Sequence, residues 1–148
     1  MGINIKNKKA AFEYELLEKC IAGIVLTGTE IKSIRQGKVS LNEAYCAILG
    51  GELWVRQMNI AEYAYGNIYN HDPKRDRKLL VNKRELQKFR KKTAIKGMSI
   101  IPLRLFINEK NLAKLEIALA RGKKLYDKRE SIKQREMKRQ MDRRDAQD

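Results

Sequence analysis

The sequence of 148 residues is poor in the residue types that build catalytic and metal centres. It has one histidine, His71, and two cysteines, Cys20 and Cys46, which do not form a CxxC pair. Because a structural zinc site usually takes about four Cys or His ligands, no metal site is predicted. Phosphate-loop, dinucleotide, zinc-protease and nucleophile-elbow motifs are also missing, and an Asn-His-Asp-Pro turn favours local hydrogen bonds for His71 over base catalysis. We therefore expect neither an enzyme nor a bound cofactor.

Long apolar runs are missing as well. No stretch approaches the roughly 20 apolar residues that a membrane helix needs. Residues 1–6 lack the basic-then-apolar profile of a secretory signal. Hydrophobic residues still make up 43% of the chain, which is enough for a core and argues against a wholly disordered protein. We expect a soluble protein of the reducing cytoplasm with no membrane segment.

Positive charge is in large excess, with 33 Lys and Arg against 18 Asp and Glu and a net charge of +15. The excess is uneven, because residues 1–73 are neutral while residues 74–92 carry +8 and residues 121–148 carry +5. Clustered cations predict a polyanionic partner, since each neutralised phosphate releases condensed counterions. A merely solvated lysine-rich surface is the alternative, and it fits the clustering less well.

Short alternating or β-branched segments, separated by turn residues, predict a mainly β fold with short helices. Strands are predicted at residues 23–28, 45–49, 52–55, 100–107 and 112–120, and residues 12–16 fit either a strand or a helix. Gly50-Gly51 predicts a hairpin turn, and Pro102 predicts a strand edge or a bulge. Closely spaced strands favour a small β-barrel over a parallel α/β sheet.

Two short helices are predicted from their capping signals. The first has Thr29 as its cap and ends at Gly37. The second begins at Asn82, whose side chain caps the backbone while Glu85 reaches back from three positions later. Their buried stripes are predicted to be Ile31 and Ile34 in the first helix, and Leu86 and Phe89 in the second.

The chain changes character after Gly122, which predicts a domain at residues 1–122 and a basic tail at residues 123–148. The apolar or aromatic residues left in the tail are Leu125, Tyr126, Ile132, Met137, Met141 and Ala146, and they form no continuous stripe. Good helix formers dominate there, but a helix with no face to bury is marginal in water. We predict a tail that is disordered when free and helical on a polyanion.

Aromatic residues are few, and two groups are candidates for stacking on bases. Tyr126 lies between Lys124 and Lys128 in a segment too polar to build a core, so stacking explains it better than burial. Tyr63, Tyr65 and Tyr69 cluster in one segment and could either stack on bases or pack an edge of the barrel.

Three blocks of the sequence resemble the SsrA-binding protein family, SmpB, in order and spacing. They are residues 23–38, Asn70-His71-Asp72-Pro73 with residues 77–80, and residues 118–129. The resemblance implies an OB-like closed β-barrel that binds the tRNA-like domain of transfer-messenger RNA (tmRNA, or SsrA RNA). It also implies delivery with EF-Tu to stalled bacterial ribosomes in trans-translation, where the tail enters the small-subunit decoding region and the mRNA channel. We expect a monomer that performs no chemistry.

The resemblance assigns roles to individual residues. It implies RNA binding by Asn7, Lys8, Leu80, Gly122, Lys123 and Lys124, and ribosome contacts by Tyr126, Asp127, Lys128 and Arg129. Tyr126 stands where the family carries an aromatic residue or histidine that stacks in the decoding centre. Three positions depart from the family pattern: Ile21 replaces a common Glu, Phe12 a His and Ala11 an Arg.

Two other classes of protein remain as alternatives. The first is a structural ribosomal protein, or another translation-associated OB-fold RNA-binding protein, with a basic extension; composition alone is consistent with it. The second is a nucleic-acid-modifying enzyme on an OB barrel. The missing acid–base and metal residues weigh against the second class.

Overall fold

The computed structural model describes residues 3–64 and 70–122, and in these ranges the chain is mainly β with short helices, as predicted. The strands are β1 (Asn4–Lys6), β2 (Tyr14–Ile24), β3 (Val39–Ser40), β4 (Tyr45–Leu49), β5 (Glu52–Arg56), β6 (Asn59–Ile60), β7 (Arg77–Leu80), β8 (Met98–Ile107) and β9 (Ala113–Gly122). The helices are α1 (Ala10–Glu13), α2 (Gly28–Arg35) and α3 (Lys83–Thr93). Within the described ranges, no helix is both long and apolar enough to span a membrane.

Antiparallel pairing joins six of the strands in a cycle. β8 pairs with β4, β4 with β5, β5 with β7, β7 with β2, β2 with β9, and β9 returns to β8. β2 and β9 pair along nearly their whole length, whereas β4 meets β8 at a single residue pair, Cys46 and Ile100. β1 also pairs with β8, while β3 and β6 form a separate two-stranded sheet.

Alternation along the strands separates the core from the outer surface. On β9, Leu115, Ile117 and Leu119 are buried with at most 1% exposure, while Lys114 and Glu116 face outward, as their spacing predicts. Burial of each of these apolar side chains stabilises the fold by about 1.5–3 kcal/mol. Ile34 of α2 and Phe89 of α3 reach the same core, and Leu86 packs against it, so α3 packs through its predicted stripe. In α2 the buried residues are Glu30, Ser33 and Ile34, and the predicted Ile31 is only partly buried.

The predicted turns and the bulge are confirmed. Gly50 and Gly51 both have positive φ, 60° and 79°, as a two-residue hairpin turn between β4 and β5 requires. The register between β8 and β9 shifts between Pro102 and Arg104, which makes the bulge that Pro102 predicts. α2 ends before Gly37, whose φ is 73°. Asn82 and Glu85 form the expected capping box of α3.

Two boundaries near the N-terminal half differ from prediction. Residues 12–16, predicted as either a strand or a helix, belong to both, because α1 ends at Glu13 and β2 begins at Tyr14. The strand predicted at 23–28 ends at Ile24, and Thr27 rather than Thr29 caps α2. Thr27 is the cap because Glu30 lies three residues later, which is the spacing of a capping box. The Thr27 hydroxyl accepts a hydrogen bond from the Glu30 N–H at 3.3 Å, and Glu30 Oε1 accepts one from the Thr27 N–H at 2.8 Å.

The Glu30 carboxylate is also the centre of a buried ionic network. Glu30 and Arg77 are both fully buried, and Arg77 Nε lies 2.5 Å from Glu30 Oε2. Arg75 Nη2 lies 2.7 Å from the other oxygen, Oε1. Arg77 further donates to the carbonyl oxygens of Met58 at 2.6 Å and Pro73 at 3.1 Å. One carboxylate therefore ties α2 to β7 and to the β6–β7 loop, and Arg77 extends the network to the β5–β6 turn at Met58.

Hydrogen bonding keeps this buried carboxylate ionised. Burial alone would raise the pKa of Glu30, but the hydrogen bonds from Arg75, the Thr27 backbone and Arg77 outweigh it and lower the pKa below its usual value. The network therefore stabilises the fold above the usual pKa of a glutamate. That contribution is lost as the pH falls through the lowered pKa of the folded state.

Replacing Arg77 by methionine should lower the free energy of unfolding by about 3–5 kcal/mol, because Glu30 would stay buried without its closest partner. Urea unfolding followed by circular dichroism measures this change. The matched control is Lys78→Met on the same strand, which breaks only the exposed pair with Glu52 and should cost at most about 1 kcal/mol. Equal losses in the two variants would contradict the central role of the Glu30 network.

Candidate nucleic-acid interface

The basic segment at residues 74–92 divides into two parts with different roles. In the first part, Arg75 and Arg77 both face Glu30, and Lys78 Nζ lies 2.5 Å from Glu52 Oε2. These cations are paired, and Arg77 is fully buried. The sequence-based interpretation of 74–92 as one nucleic-acid surface is therefore corrected for Arg75, Arg77 and Lys78, because charge counting does not distinguish a partnered cation from a free one.

The second part is α3, which presents cations to solvent. Phe89, only 3% exposed, anchors the helix on the core. An open depression of about 560 Å³ on the outer side is lined by Lys83, Arg84, Gln87, Lys88 and Lys91. Lys88 pairs with Glu18 of β2 at 3.2 Å, but no carboxylate of the described residues lies within ion-pair distance of Lys83, Arg84, Arg90, Lys91 or Lys92. Unpaired cations on one helix are suited to bind phosphates.

The cysteine beneath α3 is a hydrogen-bond donor and not a nucleophile. Cys20 Sγ lies 3.1 Å from Glu85 Oε2, which links β2 to the start of α3. Burial, together with this hydrogen bond and the charge of Glu85, raises the pKa of Cys20 to about 12. Burial also raises the pKa of Cys46. Both groups stay thiols at neutral pH, whereas a reactive cysteine needs a thiolate.

His71 makes the local hydrogen bonds that its turn predicts. The ring is 6% exposed, Nε2 lies 2.8 Å from the Ile60 carbonyl oxygen, and Nδ1 lies 2.9 Å from the Thr29 hydroxyl. Because a carbonyl only accepts, Nε2 must donate. Both ring nitrogens are therefore engaged in holding the loop. In the described part of the chain, no three His, Cys, Asp or Glu side chains come together as a metal site would require.

Asn7 lies at the end of β1, where its amide fastens the bulge of β8. Its Nδ2 donates to the Pro102 carbonyl at 2.9 Å and its backbone N–H donates to the Leu103 carbonyl at 2.7 Å, while Oδ1 is buried. Leu103 is the unpaired residue of this bulge, and the next residue, Arg104, has its guanidinium 4.1 Å from the centre of the Phe106 ring. An RNA-binding role of Asn7 would therefore be indirect, through the position of this bulge.

Two of the predicted RNA-binding residues, Leu80 and Gly122, lie at opposite ends of β2. Leu80, 52% exposed, ends β7 and pairs with Gly23. Gly122, at the end of β9, pairs with Tyr14. Tyr14 and Gly23 are nine residues apart along β2, which separates these groups by roughly 30 Å. Lys8 is exposed just before α1, which packs through Ala10 against Ala120 near the Gly122 end.

Several predicted residues fall outside the described ranges. They are Lys123, Lys124, Tyr126, Asp127, Lys128 and Arg129, together with Tyr65 and Tyr69. Tyr63 is described, and Lys32 Nζ lies 5.4 Å from the centre of its ring. Of the positions that depart from the family pattern, Ile21 is 46% exposed and Phe12 is 77% exposed.

Sequence reasoning missed two groups that the structure brings together. Glu30 and Arg77 form the buried ionic network, and the Thr-x-x-Glu spacing of residues 27–30 was the one available signal for it. Arg104 pairs with Glu116 at 2.9 Å across β8 and β9, which the bulge places side by side. No local pattern indicates that second contact, because it depends on the register of two strands.

Replacing Asn7 by alanine should lower the free energy of unfolding by about 1–3 kcal/mol, since the buried Pro102 carbonyl would lose its donor. The measurement is again urea unfolding. Lys8→Ala serves as the control, because the neighbouring exposed side chain should change stability by less than about 0.5 kcal/mol. An Asn7→Ala variant as stable as the control would show that the amide does not hold the bulge.

Comparisons with known proteins agree on one family. The family model described as SmpB protein matches residues 4–147. The SsrA-binding proteins of Phocaeicola vulgatus and Bacteroides thetaiotaomicron are each 60% identical to this chain, over 141 and 140 residues. Each match covers 95% of this chain, and 94% and 93% of the respective relative.

A solved structure described as "tmRNA-SmpB: a journey to the center of the bacterial ribosome" contains a chain of similar fold. Its TM-score is 0.71 at 43% sequence identity, and the match covers 85% of this chain and 88% of that one. The family match spans almost the whole sequence, and the fold agrees with it independently. This chain belongs to the SmpB protein family.

Proposed function

We propose that this chain binds the tRNA-like domain of tmRNA, without catalysing a reaction, and delivers it to stalled bacterial ribosomes for trans-translation. The observation that carries the proposal is the 60% identity, along 95% of the chain, to proteins described as SsrA-binding proteins. The similar solved structure is described as tmRNA–SmpB of the bacterial ribosome. These relatives favour a tmRNA-binding factor over a structural ribosomal protein.

The strand pairing supports an OB-like closed barrel as the RNA-binding domain. Each strand of the six-strand cycle has a partner on both sides, so the sheet returns to its starting strand. Closure removes the edges that would otherwise pair with another chain, which fits a monomer. OB barrels commonly bind nucleic acids through their outer surface and loops.

Two basic regions, α3 and the segment after Gly122, support separate contacts with the folded RNA and with the ribosome. The unpaired cations of α3 are suited to bind a folded RNA, whereas residues 121–148 carry a net charge of +5 with few apolar residues. We infer that the segment from Lys123 onward, including Tyr126, Asp127, Lys128 and Arg129, contacts the decoding region and mRNA channel. EF-Tu as a partner in the delivery complex, and action in the cytoplasm, belong to the same proposal.

Replacing Lys83, Arg84 and Lys91 together by glutamine should weaken binding to a transcript of the tRNA-like domain by about tenfold or more. Loss of up to three phosphate contacts should also reduce the slope of log affinity against log salt by about 2–3. Fluorescence anisotropy over a series of salt concentrations measures both quantities.

The matched control for α3 removes the same charge elsewhere, by replacing Lys38, Lys74 and Lys110 with glutamine. These lysines are exposed and have no ion-pair partner among the described residues. The control should retain most of the affinity. If both triple variants lost affinity equally, net charge and not the α3 surface would explain the binding.

Replacing Tyr126 by alanine should leave affinity for the tRNA-like domain within about twofold but reduce tagging of stalled nascent peptides, because base stacking is lost. Tyr126→His, which keeps a flat ring, should restore much of the tagging. A tagging assay on ribosomes stalled on truncated mRNA makes the measurement. Unchanged tagging in Tyr126→Ala would contradict the stacking role.

A further inference from the structure

The single tryptophan of the chain lies outside the hydrophobic core. Trp54 is the middle residue of β5, between Leu53 and Val55, which point inward and are at most 1% exposed. Because side chains alternate along a strand, Trp54 points outward, where it is partly exposed. It belongs to neither hydrophobic cluster of the described residues. Tryptophan is highly buried on average, so its outward position here indicates a role other than core packing.

Apolar side chains of β4 continue this outward surface. Tyr45 and Leu49 are 40% and 45% exposed, although both are large. Ala47, between them, is the register partner of Trp54, and its methyl group is too small to cover the indole. The described helices pack mainly elsewhere: α1 against β2 and β8, α2 against β6, and α3 against β8 and β9. The surface is termed the Trp54 face, and it comprises Tyr45, Ala47, Leu49, Glu52, Trp54, Arg56 and Lys78.

The charged side chains of the Trp54 face neutralise one another. Arg56 Nε lies 3.3 Å from Asp76 Oδ1, and Lys78 Nζ lies 2.5 Å from Glu52 Oε2. These four side chains are 37–46% exposed, so both ion pairs lie at the surface beside the indole. The face therefore has no net charge, although the whole chain carries +15. An RNA backbone would have to displace a carboxylate from each of these cations, so the face is poorly suited to bind phosphates.

We propose that the Trp54 face docks a protein, whose contacting surface presents an apolar side chain to Trp54 and carries no net charge around it. Protein–protein interfaces are enriched in tryptophan, tyrosine and arginine and have a polar rim. Trp54 and Tyr45, beside two exposed ion pairs, have this composition, and the balanced charge is complementary to a neutral protein surface and not to RNA. The proposal adds a protein contact to the proposed function and rests on that function for the complex in which it is tested.

Fluorescence of the wild-type chain tests whether RNA covers this face. A transcript of the tRNA-like domain contains no tryptophan, so the emission of its complex with the protein comes from Trp54 alone. Saturating transcript should leave both the emission spectrum and its quenching by acrylamide unchanged. If the transcript quenched the emission or shielded Trp54 from acrylamide, RNA would be the occupant of the face and the proposal would be overturned.

A photocrosslinker identifies the occupant. The full chain, with p-benzoylphenylalanine in place of the exposed Tyr45, is combined with purified tmRNA, EF-Tu and ribosomes stalled on truncated mRNA, and is then irradiated. We expect a product that survives ribonuclease and joins this chain to one other protein, identified by mass spectrometry. Adding Trp54→Ala should lower its yield about tenfold or more, the loss expected on truncating a central interface residue. A crosslink to RNA, a crosslink to a second copy of this chain, or no crosslink would each contradict the proposal.

Controls separate docking from folding and from the proposed function. Trp54→Ala should keep its affinity for the transcript within about twofold, because distant sites act independently, but should reduce tagging of stalled nascent peptides. Ile95→Ala is the matched control, since Ile95 is 55% exposed in the turn before β8 and lies outside the Trp54 face, and it should tag like the wild type. Circular dichroism checks that both variants fold, and the crosslink from the Tyr45 position decides the question if Trp54→Ala does not.

The failure of the docking proposal can be distinguished from the failure of the proposed function. If the wild-type chain bound the transcript and supported tagging, but gave no protein crosslink from the Tyr45 position, only the docking proposal would be overturned. Wild-type tagging by a folded Trp54→Ala variant would have the same consequence. If the wild-type chain did not bind the transcript at all, the proposed function would fail, and the docking proposal with it.

Discussion

The buried Glu30 carboxylate is the contact on which the arrangement of the described elements depends. It caps its own helix through Thr27 and accepts hydrogen bonds from two arginines of the segment that forms β7. Arg77 then extends the same network to the carbonyl oxygens of Met58 and Pro73. A buried charge is tolerated only when its partners are in place, so the network specifies one arrangement of α2, β7 and their loops.

This constraint divides the positive charge of the chain into two kinds. Arg75, Arg77 and Lys78 face carboxylates, so their charge is used inside the fold or neutralised on its surface. The cations of α3 have mostly no such partner, and Phe89 holds the helix so that they face solvent. A polyanion binds more favourably to cations that do not first have to leave a carboxylate partner. The unpaired cations of α3 meet this condition.

Long paired strands set the distances between the candidate contacts. β2 and β9 run together from Tyr14 opposite Gly122 to Gly23 opposite Lys114, so Gly122 lies at one end and Leu80, which pairs with Gly23, lies at the other. The bulge after Pro102 lies between the part of β8 that pairs with β4 and the part that pairs with β1. The Asn7 side chain donates a hydrogen bond to the Pro102 carbonyl at this bulge. In the proposed function, this sheet would hold the folded RNA at one place and lead the basic segment that follows Gly122 to another.

The sequence by itself determined the mainly β class, the Gly50-Gly51 turn, the Pro102 bulge, the Asn82 cap and the buried stripe of α3, because each follows from local conformational preference or from side-chain spacing. The resemblance to a known family supplied the function and residues such as Leu80. Only the tertiary structure decided which cations are buried, that Asn7 holds a bulge, and that Gly23 lies between Leu80 and Lys114. Those features depend on contacts between residues far apart in the chain, and local spacing carries no information about strand register or about which charges meet.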